Sequence, residues 1–224
     1  MSAAPVVLHE SVEDPQAELW FAEPPGFVSL PLDALLAEPG SSAAEALRVA
    51  SAPLLDAAPG ELARQRVVAQ LAQGQQMLSA LCRFGTVYCA IGLHRDDVDS
   101  SGAVTPLLSL LTITWHDTNV APRTVTAARA VTSVSGHTNV ARVDLPCGPG
   151  VLSETTSPPP PTPVPGLPPL PLLQVHAHLP HPDCKRMAVL ALSTVAVARR
   201  GEYRGILRQV VETVRFEDPM GRRA

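Results

Sequence analysis

The chain has 224 residues, of which 46% are hydrophobic and 17% are charged, and its formal net charge is −4. A chain of this length and composition can bury a hydrophobic core and form one large domain or two small ones. The slight negative net charge argues against a protein that binds the phosphate backbone of a nucleic acid.

The N-terminal segment Met1–Asp14 has no basic start and carries three acidic residues, so it does not resemble a secretory signal. The longest apolar runs, near Leu107–Trp115 and Met187–Ala198, are shorter than the roughly 18 residues that cross a bilayer. These features predict a cytoplasmic protein without a membrane span. No two of the four cysteines have CxxC spacing, so we expect free, inert thiols at Cys82, Cys89, Cys147 and Cys184.

The first predicted elements are a short strand at Phe27–Leu32 and a helix that begins near Ser42. Ser42 and Glu45 have the spacing of a capping box, and Pro53 is expected to break or end this helix. The two residues before Glu61 predict the start of a second helix. The spacing of its apolar residues predicts that this helix extends to about Leu81.

Two strands follow, at Thr86–His94 and Leu107–Trp115, and the polar segment between them predicts a hairpin. In that segment, the residue pattern matches the first positions of a calcium-binding loop at Asp97, Asp99, Ser101 and Gly102. A calcium loop needs a bidentate Glu at position twelve, where this chain has Leu108. We therefore interpret the segment as a polar hairpin loop.

The middle of the chain predicts a short helix at Thr124–Val134 and weaker strands at Val140–Leu145 and Val151–Thr155. Nine of the 14 residues from Pro158 to Pro171 are proline. Such a segment favours polyproline II and cannot donate ladder hydrogen bonds, so we predict an exposed loop at residues 157–171. A linker between domains is the alternative.

The last third of the chain has the clearest periodicity. Alternation at Leu173–Leu179 predicts a strand with one buried face, and Met187–Val197, apolar on both faces, predicts a strand in the interior of a sheet. Gly201 is expected to break the chain before an amphipathic helix. Its apolar stripe consists of Tyr203, Ile206, Leu207, Val210, Val211 and Val214.

A cluster of histidines is the strongest candidate for a metal site. His176 and His178 share one face of a predicted strand, and His181 and Cys184 follow within a few residues. Neutral imidazoles are common metal ligands, but the spacing matches no closed zinc pattern. A solvated strand face that carries a few histidines is the alternative.

Other chemistry has less support in the sequence. Neither a G-x-S-x-G nucleophile motif nor a glycine-rich nucleotide loop is present. Arg200, Arg204 and Arg208 form a stripe on the far side of the last helix, which is either a solvated face or a surface for an acidic partner. The segments His116–Ala121 and His137–Ala141 have similar sequences. This similarity is too short for a repeat unit, and we interpret it as chance.

The order of signals from Leu145 to Asp218 resembles the PsbP-like superfamily, including the LpqN-type actinobacterial proteins. The resemblance rests on the small-residue strand start Gly148–Gly150, the strand, turn and central strand, and the closing helix with its aromatic step at Phe216. The segment from Trp20 to Phe27 also resembles the start of that fold. Arginine supplies every basic residue except Lys185, which is typical of a high-GC bacterium. The resemblance implies an antiparallel sheet covered by helices, used as a non-catalytic binding or assembly module.

Taken together, the sequence predicts a single α+β domain at residues 20–218, with about six mostly antiparallel strands covered by helices. Residues 1–19 are expected to be a flexible segment and residues 219–224 a tail. The function hypothesis is a non-catalytic binding or adaptor protein that engages a protein partner and needs no cofactor. A metal-assisted hydrolase at His176, His178 and His181, or a carrier with a closed apolar pocket beneath its helices, are the alternatives.

Overall fold

The computed structural model of the chain describes residues 7–8, 18–32, 40–57, 60–61, 64–65, 85–95, 106–133, 135–158 and 170–219. The chain divides into two compact units, Gly26–Trp115 and a larger one that combines Met1–Pro25 with His116–Ala224. Every described strand pairing within them is antiparallel, which confirms the α+β class with a mostly antiparallel arrangement. The boundary of a single domain at residues 20–218 stays a prediction.

The smaller unit contains a short strand, a helix and a hairpin, with bounds β3 (Phe27–Ser29), α1 (Ser42–Ala57), β4 (Thr86–Arg95) and β5 (Pro106–Asp117, whose last two residues belong to the larger unit). Strand β4 pairs with β3 on one side and with β5 on the other. The predicted hairpin is therefore confirmed. Leu30, Cys89 and Ile91 form the buried centre of this unit.

Helix α1 differs from its prediction at both ends. The hydroxyl of Ser41, not that of Ser42, accepts a hydrogen bond of 3.1 Å from the N–H of Ala44 and so caps the first turn. Glu45 instead pairs with Arg48, one turn along an exposed face. The helix also continues through Pro53 to Ala57, so the prediction that Pro53 ends it is wrong. A proline removes one ladder hydrogen bond, but the helical assignment still extends to Ala57.

Strand β4 is buried on both faces over its middle. Cys89 and Ala90 point to opposite sides of the strand, and both have no exposed surface. A register shift between Thr86 and Tyr88 leaves Val87 exposed and turns Tyr88 inward. Such an irregularity moves a side chain to the other face, which simple alternation does not anticipate.

Several predicted segments lie wholly or mostly outside the described residues. They are the helix Glu61–Leu81 beyond its first residues, the calcium-like segment at Asp97–Gly102, most of the proline-rich loop and residues 220–224. The strands on either side of the proline-rich loop pair directly with each other. That pairing places the loop between neighbouring strands of one sheet.

The larger unit is built on a four-stranded antiparallel sheet with the order β9-β8-β7-β6. Its strands are β6 (Thr138–Leu145), β7 (Gly148–Ser157), β8 (Leu172–Pro180) and β9 (Arg186–Thr194). A two-residue strand β1 (Val7–Leu8) pairs with β2 (Ala22–Glu23). Within the described part of this unit, β6 is the edge strand and has a partner on one side only.

One face of this sheet packs against the C-terminal helix α3 (Arg200–Thr213). The predicted buried face of β8 is confirmed, because Leu173, Val175, Ala177 and Leu179 are at most 1% exposed. The apolar stripe of the helix is also confirmed, with five of its six residues buried and Ile206 half-buried.

Two boundaries near this helix need correction. Strand β9 ends at Thr194 rather than Val197, because the Thr194 hydroxyl accepts a hydrogen bond of 3.1 Å from the N–H of Ala196 and turns the chain. A 3₁₀ turn at Val197–Arg199 then leads into α3. Gly201 does not break the chain but forms the second residue of the helix.

The opposite face of the sheet is covered by helix α2 (Arg123–Thr132), which confirms the predicted short helix. Thr126 and Ala127 are its buried residues. Among the described residues, no helix is both long and apolar enough to cross a bilayer. Cys147 and Cys184 carry free thiols.

Candidate functional site

A cavity of about 460 Å³ lies within the larger unit, between helix α2 and the face of the sheet that points away from α3. We call it the histidine pocket. Its wall comes from the end of β5 and the following turn, from α2 and the segment after it, and from β8 and β9. The lining residues are His116, Asp117, Thr118, Asn119, Thr126, Arg129, Ala130, Ser133, His137, His176, His178, Met187 and Val189.

Three histidines form one side of the pocket. The rings of His176 and His178 on β8 are stacked, with centroids 6.0 Å apart, as expected for alternate residues on one face of a strand. His137, which comes just before β6, presents its ring edge to both, at centroid distances of 5.4 and 5.6 Å. The fold thus adds a third imidazole that lies 39 positions earlier than His176 in the chain.

Two hydroxyl groups of β7 hold these rings in place. The Oγ atom of Ser153 lies 3.0 Å from Nδ1 of His137 and 3.4 Å from Nε2 of His178. Thr155 Oγ1 lies 3.1 Å from Nε2 of His176. Each hydroxyl can donate to or accept from an imidazole nitrogen, so these contacts are compatible with neutral rings.

The histidines are neutral at physiological pH because of where they lie. Burial lowers the pKa of His178 to about 3, with a further contribution from the neighbouring imidazoles. Burial and the nearby His137 lower the pKa of His176 to about 4. The pKa of His137 is also lowered by burial. Removing a cationic imidazole from water is costly, so the neutral forms of His176 and His178 persist well below neutral pH.

Two buried polar atoms of residues that line the pocket have no hydrogen-bond partner among the described residues. They are Nδ1 of His178 and the side-chain oxygen of Thr118. Most buried polar atoms in proteins are hydrogen-bonded, because an unpaired one loses the free energy of its contact with water. Both atoms belong to residues that line the same cavity.

The outer part of the pocket carries charge of both signs. Arg129 from α2 and Asp117 from the end of β5 both line the cavity and are exposed. Met187 and Val189 of β9 are apolar lining residues, and Met187 is about as buried as His178, at 7% and 6% exposure. The lining therefore combines apolar side chains, imidazoles and exposed charged groups.

The metal candidates divide between two places. His176 and His178 come together in the pocket, while His181 lies in the β8–β9 turn, 2.9 Å from a carboxylate oxygen of Asp183 and against the ring of Phe216. Cys184 lies in the same turn, where its backbone takes the left-handed conformation. Within the described ranges, no group of three or more His, Cys, Asp or Glu side chains has the arrangement of a metal site.

A serine nucleophile is also disfavoured, although Ser153 lies between two histidines. Ser153 is 1% exposed and does not line the cavity, so a substrate cannot reach its hydroxyl. An efficient general base has a pKa close to the working pH, whereas the pKa of His178 is about 3. We interpret Ser153 as a residue that orients the imidazoles.

The arginines predicted to form a partner surface have different environments. Arg204 donates a 2.7 Å hydrogen bond to Glu154, a carboxylate on β7 that is only 2% exposed, and Arg200 lies 3.9 Å from the same carboxylate. Arg208 is exposed and pairs with Glu212 on its own helix. Two of the three guanidinium groups thus point toward the sheet rather than away from it.

Sequence patterns identified part of the pocket. The strand alternation placed His176 and His178 on one face, but no local pattern joined them to His137. The two similar segments His116–Ala121 and His137–Ala141 both contain residues that line the pocket. Their similarity alone did not reveal that the fold brings the two segments to one cavity.

Comparisons with protein-family models, curated proteins and solved structures found no match to this chain.

Proposed function

We propose that the larger unit is a non-catalytic binding module that holds a small organic molecule in the histidine pocket. The observation that carries this proposal is the pair of unpartnered buried atoms, His178 Nδ1 and Thr118 Oγ1, in residues that line one cavity. A ligand that supplies hydrogen-bonding groups to these atoms recovers the free energy that their burial costs.

The size and composition of the cavity support a ligand of this kind. Its volume of about 460 Å³ falls within the range of roughly 300–1,000 Å³ that is usual for small-molecule sites. Such sites combine an apolar wall with a few polar groups that fix the orientation of the ligand. Met187, Val189 and Ala130 supply an apolar wall here, and the imidazoles supply polar groups.

The protonation state of the histidines narrows the chemistry of the ligand. Their low pKa values make them neutral donors and acceptors instead of cations, so they select hydrogen-bonding groups and not negative charge. We infer a ligand with an apolar or aromatic body and an uncharged polar group, such as an amide or a heterocyclic nitrogen, that reaches His178.

The test is a thermal-shift screen of the full chain with a library of uncharged aromatic and amide fragments. A compound that binds only the native state raises the melting temperature, by an amount that grows with its concentration relative to Kd. We expect hits whose effect is lost in Thr118→Val, which removes one hydroxyl at nearly constant volume, and in His178→Phe.

Thr124→Val is the matched control, because Thr124 is an exposed residue of α2 that does not line the pocket. Hits should keep their full shift in this variant. A screen without hits, or hits that bind equally well to Thr118→Val and His178→Phe, would contradict the proposal.

A protein partner stays a prediction from the sequence. In the arginine stripe that was predicted to bind this partner, Arg200 and Arg204 contact Glu154. Arg208 is therefore the arginine of the stripe that is most available to an acidic partner. The pocket supports the small-ligand alternative more directly than this stripe supports an adaptor.

A further inference from the structure

The edge strand β6 has features that suit pairing with an identical strand. In the described part of the larger unit it is paired with β7 on one side only, so its other side presents backbone N–H and C=O groups. An irregularity lies between Thr138 and Ala141, but from Ala141 to Leu145 the register is regular. Unprotected edges of this kind are templates for further strands.

The charges on this edge are self-complementary. Arg142 and Asp144 are exposed, lie two residues apart on the same face of β6, and make no ion pair with another described residue. Proteins often protect an edge with charged side chains, especially lysine. Here the two signs alternate around Val143.

We propose that the protein forms a two-fold symmetric dimer in which β6 pairs antiparallel with β6 of a second copy, centred on Val143. In this register Arg142 of each copy lies opposite Asp144 of the other, and the symmetry generates the contact twice. Ala141 lies opposite Leu145, and Val143 lies opposite its own copy. Opposite charges that face each other across a strand pair stabilise it, whereas like charges destabilise it.

A second copy is favoured over a foreign strand because both charge contacts are satisfied by this chain alone. The register centred on Val143 brings Arg142 and Asp144 together in both halves of the interface. Pro146, directly after β6, has no N–H to donate to a ladder, so it limits the pairing to this strand.

The test is sedimentation equilibrium of the full chain over a concentration series at low salt. We expect the unmodified protein to dimerise, and Arg142→Asp and Asp144→Arg each to weaken the dimer by about tenfold or more, because symmetry counts each like-charge contact twice. An equimolar mixture of these two variants should recover dimerisation, since each provides the charges that the other lacks. Circular dichroism checks that both variants are folded.

Arg208→Asp is the matched control, because it makes the same charge change at an exposed residue that pairs with Glu212 of its own helix, and it should leave the dimer unchanged. A protein that is monomeric throughout the series would overturn the proposal. A dimer that persists unchanged in both single variants would do so as well, since it would have to use another surface.

Discussion

The hydroxyl of Ser153 lies 3.0 Å from Nδ1 of His137, and this contact joins strand β7 to the segment that precedes β6. The same hydroxyl reaches His178 on the neighbouring strand, so a single buried serine connects two of the four imidazoles that line the pocket. The arrangement of the histidine pocket therefore depends on a residue that does not line it.

Ser153→Ala should lower the free energy of unfolding by about 1–2 kcal/mol, because it leaves imidazole nitrogens without their hydroxyl partner in a buried site. Urea unfolding at neutral pH measures this change. Ser157→Ala, at the exposed end of the same strand, is the control and should stay within about 0.5 kcal/mol of the unmodified protein. Equal effects of the two substitutions would show that the Ser153 contacts do not stabilise the fold.

The neutral histidines should make the protein sensitive to acid. The pKa values of His176 and His178 are about 4 and about 3 in the folded chain, against 6.5 for the unperturbed group. Below pH 6.5 the unfolded chain binds protons that the folded chain does not. The free energy of unfolding therefore decreases as the pH is lowered, until the pKa values of the folded chain are reached. Each histidine can remove up to about 1.4 kcal/mol per pH unit in that interval.

Urea unfolding at several pH values between 7.5 and 4.5 tests this sensitivity. The double variant His176→Gln/His178→Gln, which cannot titrate at these positions, should show a flatter dependence between pH 6.5 and 5. His181→Gln serves as the control, because His181 lies outside the pocket. Parallel pH profiles for the unmodified protein and the double variant would contradict the assignment.

The carboxylate of Glu154 should depend on Arg204. Burial raises the pKa of Glu154, but hydrogen bonds from Asn139 and Arg204 outweigh that effect, and the resulting pKa is lower than usual. Arg204→Met leaves this buried charge without its closest cation and should cost about 2 kcal/mol, at the low end for a buried pair because Arg204 is partly exposed.

Arg208→Met is the matched substitution on the same helix, where Arg208 pairs with Glu212 in solvent. Exposed pairs of this spacing contribute only about 0.3–0.5 kcal/mol. Chemical denaturation of both variants separates the two cases. If Arg204→Met lowers the free energy of unfolding no more than Arg208→Met does, solvent or Arg200 already compensates the charge of Glu154.

Gly148 and Gly201 should respond to alanine in opposite directions. Gly148 has a φ of 116°, and a Cβ atom there would overlap the guanidinium of Arg123, which donates hydrogen bonds to the carbonyl oxygens of Cys147 and Pro180. Gly148→Ala should therefore destabilise the protein by about 2 kcal/mol or more. Thermal unfolding measures the shift, and an unchanged melting temperature would contradict the strain at this turn.

Gly201 lies in the first turn of α3, and a Cβ atom there meets no described residue within 4 Å. Gly201→Ala should stabilise the protein by up to about 1 kcal/mol, because alanine loses less backbone entropy in a helix. Destabilisation by this substitution would indicate a contact in the native protein that this face of the helix does not reveal.

The cap of helix α1 gives a local test. Ser41→Ala removes the hydroxyl that accepts the N–H of Ala44 and should cost the helix about 1 kcal/mol. Hydrogen exchange of the amides in the first turn reports the loss directly. Ser42→Ala should have little effect on those amides, and a larger effect of Ser42 than of Ser41 would restore the capping box expected from the sequence.

The sequence by itself determined the elements whose residues repeat with a clear period. The alternation at Leu173–Leu179 and the stripe from Tyr203 to Val214 were sufficient, because burial of one face imposes that spacing locally. Boundaries were less certain where a single hydrogen bond decides them, as at Ser41 and Thr194.

Only the tertiary structure decided what lies on the other face of the sheet. Thr118 and His137 are remote from His176 and His178 in sequence, and the fold brings them around one cavity. Antiparallel pairing of β7 with β8 places Ser153 against His178. The low pKa values follow from that enclosure, because removal of water disfavours the charged imidazole. A strand pattern shows which side chains share a face, whereas the environment of that face depends on elements that fold over it.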